Sequence, residues 1–276
     1  MRKRTRTPTK KTLVDIALLT CGLVDLPVFE KCINAIKREM QSVDCNFYII
    51  LNGLAPEARE PFSNIINSIP DAKIKHSSEM LGFSAAANRV IRQGTSPLVL
   101  FITDDIILHE GTLEKLVRRM DEPEIGLCGL KLIFPDDSTD PNRPAGRVQH
   151  VGHAIDVNGE ITHPLTGWMP NNPRCNVSKE VQSVTGGVFM VRRKSFLQSG
   201  GFFEGYGKGY YEDVDLCFSI RHNVGQKVFI DTNATAYHVT NASFRKAGVA
   251  IPMEQNKMIL RSRWGKFMEN DSFVFW

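Results

Sequence analysis

Two acidic clusters in this chain of 276 residues carry the side chains best suited to chemistry. Thr103, Asp104 and Asp105 follow directly on the apolar run LVLFI at 98–102. Adjacent carboxylates at the end of a buried strand are costly unless they hold something positive, and hard oxygen ligands suit Mg²⁺ or Mn²⁺ bound to a diphosphate. The bland alternative is a helix N-cap supplied by Asp105. The second cluster, Tyr210, Tyr211, Glu212, Asp213, Val214 and Asp215, opens a helical stretch, where acids are favoured by the helix dipole whatever else they do. The preceding GGFFEGYGKGYY supplies glycines and aromatics of the kind that hold a sugar or an acceptor against a catalytic acid. His238 closes the last expected strand. A lone histidine there is ordinarily structural, but beside Asp105 its imidazole would be a further ligand for Mn²⁺. His150, His153 and His163 match no metal-binding spacing and are read as solvated or structural.

The elements that must position these residues alternate. Strands are expected at 13–20, 46–51, 72–76 and 98–103, with helices at 26–40, 56–68 and 83–93 between them. Such a succession implies a mostly parallel sheet with helices on both faces, and ligands bind such sheets beyond the carboxyl ends of the strands. A helix at 110–120 and a strand at 125–134 continue the pattern. Turn-rich loops at 135–147 and 164–180 then enclose a hairpin that turns at Asn158 and Gly159. Beyond them come a strand at 181–193, a helix at 212–223, two strands (KVFID and ATAYHV) and a helix from about Met253 to Met268.

Composition narrows the class. With 42% hydrophobic and 23% charged residues the chain is globular, not disordered or fibrous. No run approaches the roughly 18 apolar residues of a membrane span, and the basic N-terminus lacks an apolar segment behind it, so neither a secreted nor an integral membrane protein is expected. Six cysteines without a CxxC pair read as reduced thiols of a cytoplasmic protein. The net charge of +4 conceals a division: residues 1–11 hold six basic side chains and no acid, 245–276 hold six against three, and the body between holds 22 against 27.

Three segments in order, LGFSAAANRVIRQG, LVLFITDDIIL and the block of about sixty residues from Val184 to Ser243, resemble glycosyltransferase family two, particularly its rhamnosyltransferase-like branch. The resemblance covers about 13–244. It implies the GT-A fold: an α/β, Rossmann-like, mostly parallel central sheet flanked by helices, with a smaller acceptor-side β region. It divides the chain into a basic arm (1–11), the GT-A domain (12–244) and a basic helical segment (245–276).

The family's chemistry carries over residue by residue. Thr20 would lie near the nucleoside, and Gly82 to Arg89, with Asn88 among them, would frame the ribose and diphosphate. Asp105 matches the acid that binds the divalent cation, Asp104 lies in the same motif, and His238 matches a histidine completing the coordination. Asp213 matches the catalytic base and Glu212 the residue positioning acceptor or base. The pairs Gly186–Gly187 and Gly200–Gly201 would line the sugar and acceptor pocket. Two positions depart from the pattern: Thr103 stands where many relatives have an acid, and Leu51 where an acid often contacts the nucleotide base.

The resemblance thus implies an inverting glycosyltransferase with a nucleotide-sugar donor, Mn²⁺ or Mg²⁺, and a glycan or lipid-linked acceptor. A non-catalytic nucleotide-sugar-binding module and a nucleotidyltransferase are the rivals. The intact Glu212 and Asp213 oppose the first, and the absence of a basic Gly-rich loop after the first strand opposes the second. The basic ends leave further partners open. Ile259, Leu260, Trp264 and Phe267, interleaved with Lys257, Arg261, Arg263 and Lys266, would suit a helix on an anionic membrane at its cytoplasmic face, or equally one docked on its own domain. The arm MRKRTRTPTKK would suit phosphates of a nucleic-acid acceptor, or serve only as a solubilising tail.

Overall fold

The computed structural model describes residues 14–240 and 252–275; the basic arm at 1–11 lies outside them. The elements in chain order are β1 (Val14–Thr20), α1 (Leu26–Glu39), β2 (Cys45–Asn52), α2 (Pro56–Ile66), β3 (Lys73–Ser77), α3 (Phe83–Ile91), β4 (Leu98–Thr103), β5 (Ile106–Leu108), α4 (Thr112–Arg119) and β6 (Ile125–Ile133). There follow β7 (Val148–His150), β8 (Ala154–Ile155), β9 (Ile161–Thr162), β10 (Lys179–Glu180), β11 (Val188–Arg192), α5 (Arg193–Gln198), α6 (Glu212–Ser219), β12 (Lys227–His238) and, after the undescribed stretch, α7 (Met253–Trp264).

The main sheet runs β10-β12-β6-β11-β4-β1-β2-β3. The half from β4 to β3 is parallel throughout, as the alternating strands and helices require. β11 runs antiparallel between β4 and β6, and β12 pairs parallel with β6. The mostly parallel α/β sheet expected from the sequence is therefore present. All of β1, β2 from Phe47, β4 to Ile102 and β6 are buried, because helices cover both faces. One polar exception ties the sheet together. Asp15, 1% exposed in β1, accepts from Arg193 Nη2 (2.6 Å), the Ser96 amide (2.9 Å), Ser96 Oγ (2.6 Å) and Asn46 Nδ2 (2.9 Å).

The later elements differ from expectation in four places. The strand expected at 181–193 is ladder-paired only from Val188, and Thr185, Gly186 and Gly187 just before it line the cleft instead. KVFID and ATAYHV are one strand, β12, carrying a register shift between Asp231 and Thr235 instead of a turn. The helix opening at Glu212 ends at Ser219 and relaxes into a π turn at Ile220–Val224, and the C-terminal helix ends at Trp264 in a 3-10 turn. The hairpin at Asn158 and Gly159 is formed by β8 and β9 as expected.

α7 lies on the protein's own domain. Leu260 and Trp264 are buried with Tyr206, Val214 and Phe218, while Ile259 and Phe267 pack beside them. Lys257 and Arg261 meet Glu160 at 2.6 and 2.8 Å, and Arg263 meets Asp215 at 2.5 Å. This corrects the membrane-facing reading: the apolar residues that would enter a bilayer face protein, and three of the four cations are paired within the fold. Among the described residues no helix is long and apolar enough to cross a membrane.

Candidate active site

A cleft of about 540 Å³ opens beyond the carboxyl ends of β1, β2 and β4, the size of a small-molecule site. One wall holds Asp104, Asp105 and His238, the other Glu212 and Asp213. The two acidic clusters identified in the sequence share this single cleft.

Asp105 is followed by β5, not by a helix, so the capping alternative fails. β5 pairs with the end of β12 and sets His238 beside the pair of acids, with Nε2 3.3 Å from Asp105 Oδ2. Thr103 Oγ1 donates to Asp105 Oδ1 at 2.9 Å. Burial alone would raise the Asp105 carboxyl, but His238 and the Thr103 hydroxyl hold it below the usual range. Asp104 goes the other way, pushed up to about 7 by burial and then by Asp105, although Thr20 Oγ1 donates to it at 2.5 Å. Two buried carboxylates with one imidazole and too little local positive charge form a donor set that fits a divalent cation of the Mg²⁺ or Mn²⁺ kind.

Across the cleft, Asp213 Oδ2 accepts from the Gly186 amide at 2.7 Å and Oδ1 from the Val214 amide at 2.8 Å. Burial raises its carboxyl in spite of these bonds. Glu212, 7% exposed, is pushed up to about 8 by burial and by Asp213, and its Oε2 has no hydrogen-bond partner. Both adjoining carboxyls thus resist ionisation, and they titrate as a pair. Tyr210 and Tyr211 reach the helix start through left-handed backbone (φ 78° and 75°) that side chains rarely adopt. Asn256 of α7 holds that turn, its Nδ2 donating to the carbonyls of Tyr206 (3.0 Å) and Gly209 (2.7 Å). Behind it, the Asp215 carboxylate accepts from Tyr206 Oη (2.9 Å), Arg263 Nε (2.5 Å) and Trp264 Nε1 (2.8 Å).

The turn at Gly186 and Gly187 joins the walls. A Cβ on Gly186 would come within 2.9 Å of the Asp213 Cβ, and one on Gly187 within 3.5 Å of His238 Cε1. Consecutive Cα atoms are about 3.8 Å apart, so two residues of chain fix the spacing between the acid of one wall and the imidazole of the other.

Not every expected residue lines the cleft. Thr20 is buried and acts on it through Asp104. Gly82 caps α3 at a point where its Cα faces the Gly207 carbonyl, while its neighbour Phe83 reaches the cleft. Asn88 is turned away: its amide is consumed by Phe202 N and O and by Glu204, at 2.9 Å each, so it anchors the 202–204 loop. Arg89 lies in a separate surface depression with Lys75, Arg92 and Glu204. Gly201 packs against Asn88 and Phe196, not the cleft. Leu51 is 1% exposed in the core, and the polar residue at that end is Asn52, whose amide makes a reciprocal pair with Leu81 N (2.9 Å) and O (3.0 Å).

The lining also contains residues that sequence reasoning missed: Arg143, His153 and His163. Arg143 comes from the turn-rich loop and carries no local signal. His150 and His153 are 1% and 4% exposed, so the solvated reading is wrong for both.

Residues 25–200 match the profile of glycosyl transferase family 2. The chain is 29% identical over 172 residues to O-antigen biosynthesis protein RfbC of Myxococcus xanthus (59% of this chain, 12% of that one). It is 25% identical over 206 residues to the uncharacterized protein y4gI of Sinorhizobium fredii (72% and 22%). It therefore spans about a fifth or less of the curated relatives it matches. Solved structures of similar fold include GalNAc-T7 with UDP, GalNAc and Mn²⁺ (TM-score 0.67, 13% identity, 83% of this chain and 43% of that one). They also include S. aureus TarS 1-349 with UDP-GlcNAc (0.62, 11%, 94% and 67%) and the mannosyltransferase PcManGT of Pyrobaculum calidifontis with GDP-Man and Mn²⁺ (0.56, 13%, 84% and 58%). With the family profile matched over more than half its length and the sheet that of GT-A glycosyltransferases, the chain belongs to glycosyltransferase family 2.

Proposed function

We propose that the protein is an inverting, divalent-cation-assisted glycosyltransferase that moves a sugar from a nucleoside-diphosphate sugar to a hydroxyl of a glycan or lipid-linked saccharide. The observation that carries this reading is the Gly186–Gly187 turn, which sets Asp213 against one residue and His238 against the next. The expected base and cation ligands then share one cleft.

Asp105 and His238, with Asp104, would hold the cation. When bound, it supplies positive charge against that developing on the departing nucleoside diphosphate. The Asp213 carboxylate takes the proton from the acceptor hydroxyl. The acceptor oxygen forms its bond to the anomeric carbon as the bond to the diphosphate oxygen breaks on the opposite face, its electron pair leaving with the diphosphate. The Gly186 and Val214 amides aim the carboxylate, and Glu212, neutral near pH 7, is free to donate its unpartnered Oε2 proton to a sugar oxygen. Arg143 adds a cation to the wall where a diphosphate would lie. A saccharide acceptor is favoured by the relative in O-antigen biosynthesis and a nucleotide-sugar donor by the UDP and GDP-Man complexes of the structural neighbours.

The test is Asp213→Asn. With Mn²⁺, a panel of UDP and GDP sugars should raise the melting temperature of wild type and variant alike, since ligand binding stabilises by RT ln(1 + [L]/Kd). Donor consumption with a saccharide acceptor should fall about 10²–10⁴-fold in the variant. Near-wild-type turnover of Asp213→Asn, or no stabilisation by any nucleotide sugar, would overturn the proposal.

A further inference from the structure

The transfer chemistry leaves three histidines unexplained. His150 at the end of β7, His153 just beyond it and His163 after β9 form a cluster with ring centroids 4.7–5.2 Å apart. Their nearest ring nitrogens all lie within 4.8 Å of one another. Three imidazoles so close invite reading as a metal centre, but their hydrogen bonds oppose it.

The Thr185 amide donates to His150 Nε2 at 3.2 Å, so that nitrogen carries a lone pair. A neutral imidazole holds one proton, which in His150 must then sit on Nδ1. Its partner there is His163 Nδ1, 3.1 Å away, which has to accept. The remaining proton of His163 is therefore on Nε2. A metal ion bound through His150 Nδ1 would force the His150 proton onto Nε2, against the amide hydrogen of Thr185. Burial holds His150 well below the ordinary value and His153 at about 4, His150 being crowded by the neighbouring rings as well. His163, exposed at the cleft, is kept uncharged by the His150 proton directed at its Nδ1.

His163 lines the cleft and lies close enough to Asp213 for their charges to interact. Its Nε2 has no partner among the hydrogen bonds of the described residues. Thr185 and Gly186 are consecutive, and their amides do parallel work: one fixes the proton position on His150, the next holds the Asp213 carboxylate at 2.7 Å. We propose that the relay from the Thr185 amide through His150 makes His163 a tautomer-locked, uncharged N–H donor that orients an acceptor sugar hydroxyl toward Asp213. The orienting role rests on the transferase reading above; the tautomer lock does not. An uncharged donor suits that place, because an imidazolium would pair with Asp213 and weaken it as a base.

Long-range ¹H–¹⁵N correlation spectra of protein labelled at histidine read the tautomers directly and need no substrate. The expected result is Nδ1–H for His150 and Nε2–H for His163, with neither ring taking up a proton between pH 8 and pH 5.5. An Nε2–H form at His150, protonation of His163 in that range, or one equivalent of Zn²⁺ shifting all three rings together would overturn the relay. The orienting role is read from kinetics: His163→Phe should raise the acceptor KM about tenfold, the scale of one lost hydrogen bond, with donor KM unchanged. His163→Gln, which keeps an N–H, should recover most of the loss. A raised donor KM, or equal loss in both variants, would overturn it. Locked tautomers in a protein that transfers to no saccharide would refute the transferase reading and with it the orienting role, while leaving the relay standing.

Discussion

Replacing Glu212 with glutamine should stabilise the protein at alkaline pH and change little at acid pH. Glu212 is buried, its Oε2 is unpartnered, and burial with the neighbouring Asp213 lifts its carboxyl from 4.5 to about 8. A folded-state value above the unfolded one means that the folded protein holds the proton more tightly. The resulting stability is fully present below about 4.5 and is lost as pH rises through about 8. At about 1.36 kcal/mol per pKa unit the shift caps that loss at roughly 5 kcal/mol. Sharing of the proton with Asp213 and water in the open cleft reduce it, and about 2–4 kcal/mol between pH 5 and pH 9 is the expected range. Glutamine keeps the shape and never ionises. Urea unfolding of wild type and Glu212→Gln at both pH values should show near-equal stability at pH 5 and the variant ahead at pH 9. A difference between the two proteins that stays the same at both pH values would refute the claim that Glu212 is folded in its neutral form.

Asp215→Asn removes the carboxylate that gathers Tyr206, Arg263 and Trp264, and leaves Arg263 without its counter-charge. Breaking a buried ion pair costs about 3–5 kcal/mol; Arg263 keeps contact with water, so about 2–3 kcal/mol is expected, with proteolysis appearing first at α7 in a limited trypsin digest. Gly82→Ala should disturb the start of α3, because its Cβ would lie 2.0 Å from the Gly207 carbonyl oxygen, which is backbone and cannot swing aside. A drop of several degrees in melting temperature together with weaker nucleotide-sugar binding is expected, and an unchanged thermal melt would contradict the close approach.

Local features were legible in the chain: apolar runs and helical spacing wrote out the alternation from β1 to β6, and acids placed just after strand LVLFI and at the start of α6 marked both walls of the cleft. Resemblance added an expectation of which acid does what. Asn88 and Arg89 were misjudged because helix periodicity does not say which face of α3 meets the cleft and which meets the 202–204 loop. The basic helix α7 was ambiguous for a related reason, since an apolar face with cations suits a bilayer or a domain equally, and only Asp215 and Glu160 waiting at the right places decide between them. The histidines are the clearest case. Their spacing in the chain carried no pattern, because hydrogen bonds from a backbone amide 35 residues away define which ring nitrogen holds a proton. Side-chain type and order are properties of the chain; mutual distance and protonation belong to the folded cleft, where water is scarce and each charge answers to neighbours remote in sequence.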